Sequence, residues 1–166
     1  NDIIIKESIK NMTDIKINEI LYNDIFNLIK TAKENVKTAI NLSMVYTYYE
    51  IGKRIFLEEQ KGNERAVYGD ELIDNLTNNL KKEFKNGFSK ENLKLMRRFY
   101  FIYSNDKIGE PVVLQFKNYK LNSDGRQFFL SWALYLNIMR IENIDERHFY
   151  EIEAYKNNLS KRELLR

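Results

Sequence analysis

The stretch KNGFSKENLKLMRRFY, residues 85–100, decides how this chain folds. Asn86-Gly87 is a turn signal. Ser89 stands where a helix N-cap belongs, and Glu91 falls in the first turn, where a carboxylate favours the helix dipole. At about 100° per residue, Lys90, Lys94, Arg97 and Arg98 fall within about one quarter of the helix circumference. Leu93, Met96, Phe99, Tyr100 and Tyr103 lie across from them. An apolar face of that size requires a core, and the charged face opposite is left for solvent or a polyanion.

Outward from this segment the chain reads as helices. Leu72, Ile73, Leu76, Leu80 and Phe84 form one stripe, which predicts a helix over 70–84 that offers its apolar side to Leu93 and Met96. With the short turn and the helix at 90–103, it makes a central helix-turn-helix-like unit over about 70–104. Upstream, Ile17, Ile20, Leu21, Ile25, Leu28, Ile29, Val36, Ala39, Ile40, Tyr48, Ile51 and Ile55 recur at helical spacing. They predict one long helix or two nearly collinear ones over about 17–60, capped by Thr13 or Asn18. QKGNERAVYG, 60–69, reads as a loop. Downstream, PVVLQFKNYKL and RQFFL are strand-like and joined by NSDG, which predicts a small β-hairpin, or wing, over about 111–130. Helices follow over 131–166: one from Ser131, one from about Asp145 to Asn157, and one opened by the capping box Ser160-Lys161-Arg162-Glu163. The expected fold is therefore mainly α, a single multi-helical domain with this unit at its centre.

Composition removes several function classes. The 166 residues include no cysteine, so there is no disulfide, thiol nucleophile or thiolate metal site. No apolar run approaches about eighteen residues, so no membrane span is expected. The opening NDIIIKESIKNM lacks the basic flank and small-residue cleavage site of a signal peptide, which points to the cytoplasm. Net charge is +3. Residues 81–98 carry seven cations and two anions, so they hold +5 and the rest of the chain −2.

A local excess of that kind suits phosphate. In a helix-turn-helix the second helix enters the major groove. Ser89, Lys90, Lys94 and Arg97 would then approach base edges, with Arg98 on the same basic face. Lys81, Lys82 and Lys85 would hold phosphate from the end of the preceding helix. Asn92 projects to the buried side and reads as a structural hydrogen-bonder. The competing interpretation is a solvated lysine face on a protein-interaction or dimerisation module, with the long first helix holding a partner or a second copy.

Catalytic and cofactor chemistry is poorly represented. EPVVLQFK imitates a metal-dependent nuclease strand through Glu110, Gln115 and Lys117, but it lacks a second well-placed acid to hold Mg²⁺. His148 is the sole histidine, too few ligands for a metal centre. YEIGKR fails the spacing of a phosphate-binding glycine loop. Tyr46, Tyr48 and Tyr49 read as core and its rim. No cofactor, metal or small-molecule substrate is expected, and the chain by itself is expected not to be an enzyme.

Five motifs in order carry a resemblance: YYEIGKRI (48–55), YGDELIDNL (68–76), GFSKENLKLMRRFY (87–100), LSW (130–132) and RHFYEIEAYKNNLSKREL (147–164). Together they resemble the N-terminal domain of the YhcG-like bacterial proteins, from about Asn18 to Arg166. The resemblance implies a helical, DNA-binding-like domain that stands ahead of a PD-(D/E)XK nuclease domain, in proteins often found near restriction-modification genes. It also implies that the nuclease half would follow Arg166. Three departures stand out. Trp132-Ala133-Leu134 replaces a Trp-Ser-His run, Leu159 replaces a tryptophan, and Pro111 to Arg126 is longer than usual.

Overall fold

A computed structural model describes residues 2–61, 65–105 and 127–164, apart from a few side chains at 2, 14, 15, 17 and 65–67. All regular elements among them are helices: α1 (Asp2–Glu59), α2 (Arg65–Phe84), α3 (Lys90–Asn105), α4 (Trp132–Ile138), α5 (Ile144–Lys156) and α6 (Lys161–Leu164). The chain divides into two compact units, Asn1–Ile40 and Asn41–Arg166. The fold is mainly α, as the periodicities predict. α1 is longer than the pattern suggests, because Ile3, Ile4 and Ile5 continue the helix without any breaker before Ile17. α2 starts at Arg65, inside the expected loop, since Arg65-Ala66-Val67-Tyr68 holds no turn former once Gly62-Asn63 is passed.

The core of the 41–166 unit is aromatic. Val45, Tyr49, Phe99, Tyr103, Phe128, Leu130, Leu134, Tyr135, Ile138, Met139 and Ala154 are buried together. Phe99 sits at the centre, with its ring centroid 4.8–5.9 Å from those of Tyr49, Tyr103, Phe128, Trp132 and Tyr135. Edge and tilted contacts dominate, as the ring quadrupole favours. A second cluster, Ile55, Ile73, Leu93 and Met96, joins the end of α1 to α2 and α3. Leu76 and Leu80 flank it as expected. Phe84 does not: it is exposed and makes a tilted ring contact with Phe88 beside the turn.

Gly52 sets how closely α1 approaches α3. A Cβ there would stand 2.0 Å from the carbonyl oxygen of Met96. Main chain therefore packs on main chain, which only a residue without a side chain allows.

Local chemistry ends each element. Ser89 caps α3, its Oγ accepting from the Asn92 amide at 3.2 Å. Asn143 caps α5 by accepting from Glu146 at 2.9 Å. α5 closes with Asn158 at φ 48° and a Leu159 N–H bond to the Ala154 carbonyl, a left-handed stop. The Ser160 amide donates to Glu163 at 2.7 Å, the return half of the predicted capping box. Of the wing expected over about 111–130, residues 111–126 lie outside the described residues. Residues 127–130, expected as its second strand, are irregular. Phe128 and Leu130 plug the core, and the Phe128 amide donates to the Tyr46 hydroxyl at 2.9 Å instead of to a strand.

Candidate nucleic-acid interface

α2 and α3 run antiparallel across the turn 85–89. That turn contains two left-handed residues, Lys85 at φ 57° and Gly87 at φ 94°. Gly87 takes the positive φ that its sequence context calls for, while Lys85 adopts the same region at greater steric cost. Asn92 reaches back from α3 and donates to the Gly87 carbonyl at 3.1 Å, so it fastens the turn.

The basic face of α3 is matched by a row of acids. Lys90 pairs with Asp74 at 2.7 Å, Lys94 with Asp70 at 3.1 Å, and Arg97 with Glu59. The first two rungs lie in the exposed groove between α2 and α3. The third is more enclosed: the Glu59 side chain is 10% exposed and that of Arg97 35%. A Cβ on Gly69 would come within 2.8 Å of the Glu59 carboxylate. Gly69 of α2 thus leaves the space that the Glu59 carboxylate occupies while it pairs α1 with α3.

These contacts tune the ionisable groups. The hydrogen bond and charge of Lys94 hold the Asp70 carboxyl below its ordinary value, with Lys90 and Arg97 adding to the effect. The Asp74 hydrogen bond raises Lys90. Glu91 is kept low by its own backbone N–H and by the Ser89 hydroxyl, with Lys81 and Lys90 contributing charge.

The eight predicted contact residues therefore separate into three groups. Ser89 is engaged as the α3 cap. Lys90, Lys94 and Arg97 are engaged with acids. Lys81, Lys82, Lys85 and Arg98 are exposed and make no ion pair among the described residues. Lys81, Lys82 and Lys85 stand at the end of α2 and the start of the turn, near the exposed Phe84 in sequence. Sequence reasoning missed Glu59, Gly69, Asp70 and Asp74. Asp70 and Asp74 did carry a signal: their four-residue spacing matches that of Lys90 and Lys94 in reverse order, as antiparallel helices require.

A second polar group is buried on the α5 side. The Tyr103 hydroxyl donates to Glu151, and Arg147 lies 5.8 Å from the Tyr103 ring centroid. Burial first, then the Glu151 charge, pushes the Tyr103 and Tyr135 hydroxyls well above the usual phenol range. Among the described residues, no three or more acidic, histidine or cysteine side chains converge in a way that could hold a metal ion. No helix among them is long and apolar enough to cross a membrane. Glu110, Gln115 and Lys117 lie outside the described residues.

Among the described residues, α2 and α3 are thus joined by a short turn, and acids from α1 and α2 face the cations of α3. The chain belongs to the DUF1016 N-terminal domain family, whose model matches residues 24–166. It is 33% identical over 161 residues to the Escherichia coli K12 protein named "Putative nuclease YhcG". The match takes in 88% of this chain and 43% of that protein, so the chain spans less than half the length of its curated relative. No solved structure matches.

Proposed function

We propose that this chain is the DNA-binding, targeting module of a YhcG-like nuclease and that it binds DNA without cutting it. The observation that carries this is the exposed cluster Lys81, Lys82 and Lys85, joined on the neighbouring helix by Arg98. Among the described residues these four cations form no ion pair, and Lys81, Lys82 and Lys85 stand at the end of α2 and the start of the turn. Such charges neutralise phosphates and release counterions. Lys90 and Lys94 join them only as minor contacts, because each must first give up its aspartate. Arg97 keeps its place against the enclosed Glu59 and acts as a strut under the basic surface. Ser89 contributes by fixing the start of α3, whose first turn then faces the groove. The relative's name supports nucleic acid as the partner class.

Electrophoretic mobility shift on duplex and single-stranded DNA tests the proposal. A shift that is lost in the Lys81→Ala/Lys82→Ala/Lys85→Ala variant is expected. Plasmid incubated with highly purified chain and Mg²⁺ or Mn²⁺ is expected to stay supercoiled, since catalysis is assigned to another domain.

A further inference from the structure

Within the 1–40 unit, helix α1 carries large apolar side chains that are exposed among the described residues. Leu21, Tyr22, Ile25, Phe26, Leu28, Ile29, Val36 and Ile40 are each 47–71% exposed. All but Phe26 fall, with Ala32 and Ala39, within an arc of about 120°, and polar residues fill the rest of the turn apart from Phe26. The stripe runs for about 30 Å along the helix. Scattered apolar residues on a surface are ordinary, but a continuous stripe marks an interface.

We propose that this stripe pairs with a second copy of the chain, as an antiparallel two-helix contact centred near Phe26 and Leu28. Size is the first argument. The eight side chains leave roughly 800 Å² uncovered per copy, so pairing would remove on the order of 1,600 Å², the area of a stable interface. Register is the second. The spacing Tyr22, Ile25, Ile29, Ala32, Val36, Ala39 alternates by three and four, as a helix-pairing seam does. In an antiparallel copy Ile25 meets the partner's Ile29, and Tyr22 meets the partner's small Ala32. Charge is the third. On one flank of the stripe Glu19 stands toward the N-terminal end, and Lys33 and Lys37 stand toward the C-terminal end. A two-fold axis across antiparallel helices keeps the same flank on the same side. Glu19 of each copy then meets Lys33 and Lys37 of the other, and the pairing occurs twice. A parallel copy separates Glu19 from those lysines along the helix.

The absence of cysteine makes the test clean, because every introduced thiol is the only one present. Sedimentation velocity of the full chain at micromolar concentrations is expected to show a dimer. Ile25→Glu with Ile29→Glu is expected to give a monomer whose Trp132 fluorescence melt is unchanged, since Trp132 reports the 41–166 core. A mixture of Glu19→Cys and Lys37→Cys proteins is expected to form the mixed disulfide on mild oxidation. A monomeric wild type would overturn the proposal, as would a dimer that survives the double substitution. Glu19→Cys cross-linking to itself in preference to Lys37→Cys would overturn the antiparallel arrangement. None of these readouts involves DNA, so they stand or fall apart from the proposed function.

Discussion

Arg97 on α3 donates to Glu59 at the end of α1, in a space that Gly69 on α2 leaves open. One ion pair thus ties α3 to the end of α1, beside the α2 backbone at Gly69. Removing the arginine leaves an enclosed carboxylate without its counter-charge, which costs more than the pair contributes.

Arg97→Ala is therefore expected to destabilise the protein by about 2 kcal/mol, below the figure for a fully buried pair because Arg97 is partly exposed. Urea unfolding followed by Trp132 fluorescence measures it. Arg97→Glu should cost more, by placing two carboxylates together. Stability equal to wild type in Arg97→Ala would show that the pair does not hold the helices.

Gly52→Ala places a methyl group 2.0 Å from the Met96 carbonyl oxygen. Main chain cannot turn aside as a side chain can, so α1 and α3 must separate. A loss of about 3 kcal/mol, at the upper end of overpacking costs, is expected. A melting temperature within a degree of wild type would contradict the close approach.

Gly87 has open space around its missing Cβ, so any effect of substitution there is purely conformational. At φ 94°, Gly87→Val is expected to destabilise by at least about 1 kcal/mol. Lys85→Gly should act in the opposite sense, because it relieves a left-handed lysine at φ 57°. Thermal melts of the two variants moving the same way would contradict this account of the turn.

The buried tyrosines set an alkaline limit. Tyr103 and Tyr135 have hydroxyls raised well above 10.0, chiefly by burial. A group whose folded value is raised contributes stability that is whole below its unfolded value and is lost as pH climbs toward the folded one. Stability should thus hold up to about pH 10 and fall above it. Absorbance at 295 nm should show these two phenols ionising only together with unfolding. Full ionisation of all eleven tyrosines in a protein that remains folded would contradict their burial.

The helices were legible because their apolar residues recur at 3.6-residue spacing and their caps are local: Ser89, Asn92 and the Ser160–Glu163 box act within a few residues of themselves. The candidate site was only half legible. Counting charge along residues 81–98 found the cations, but their acids sit at 59, 70 and 74, outside any window centred on the turn. A charge run is a one-dimensional quantity, whereas neutralisation happens in space. Gly52 and Gly69 were opaque for the same reason: what a glycine makes room for, Met96 in one case and Glu59 in the other, is set by tertiary contact. The strand-like pattern misled at 127–130 because Phe128 and Leu130 are apolar for the core's sake, not for a pleated ladder.

The most direct test is the salt dependence of DNA affinity, measured by fluorescence anisotropy on a labelled duplex for wild type and for Lys81→Ala/Lys82→Ala/Lys85→Ala. If these lysines and Arg98 meet about four phosphates, the wild-type log–log slope should be about −3.6, and the triple variant should retain about −0.9. Lys90→Ala should change the slope little by comparison, since it must first surrender Asp74. A wild-type slope near zero, or a triple variant with wild-type affinity and slope, would contradict DNA binding through this surface.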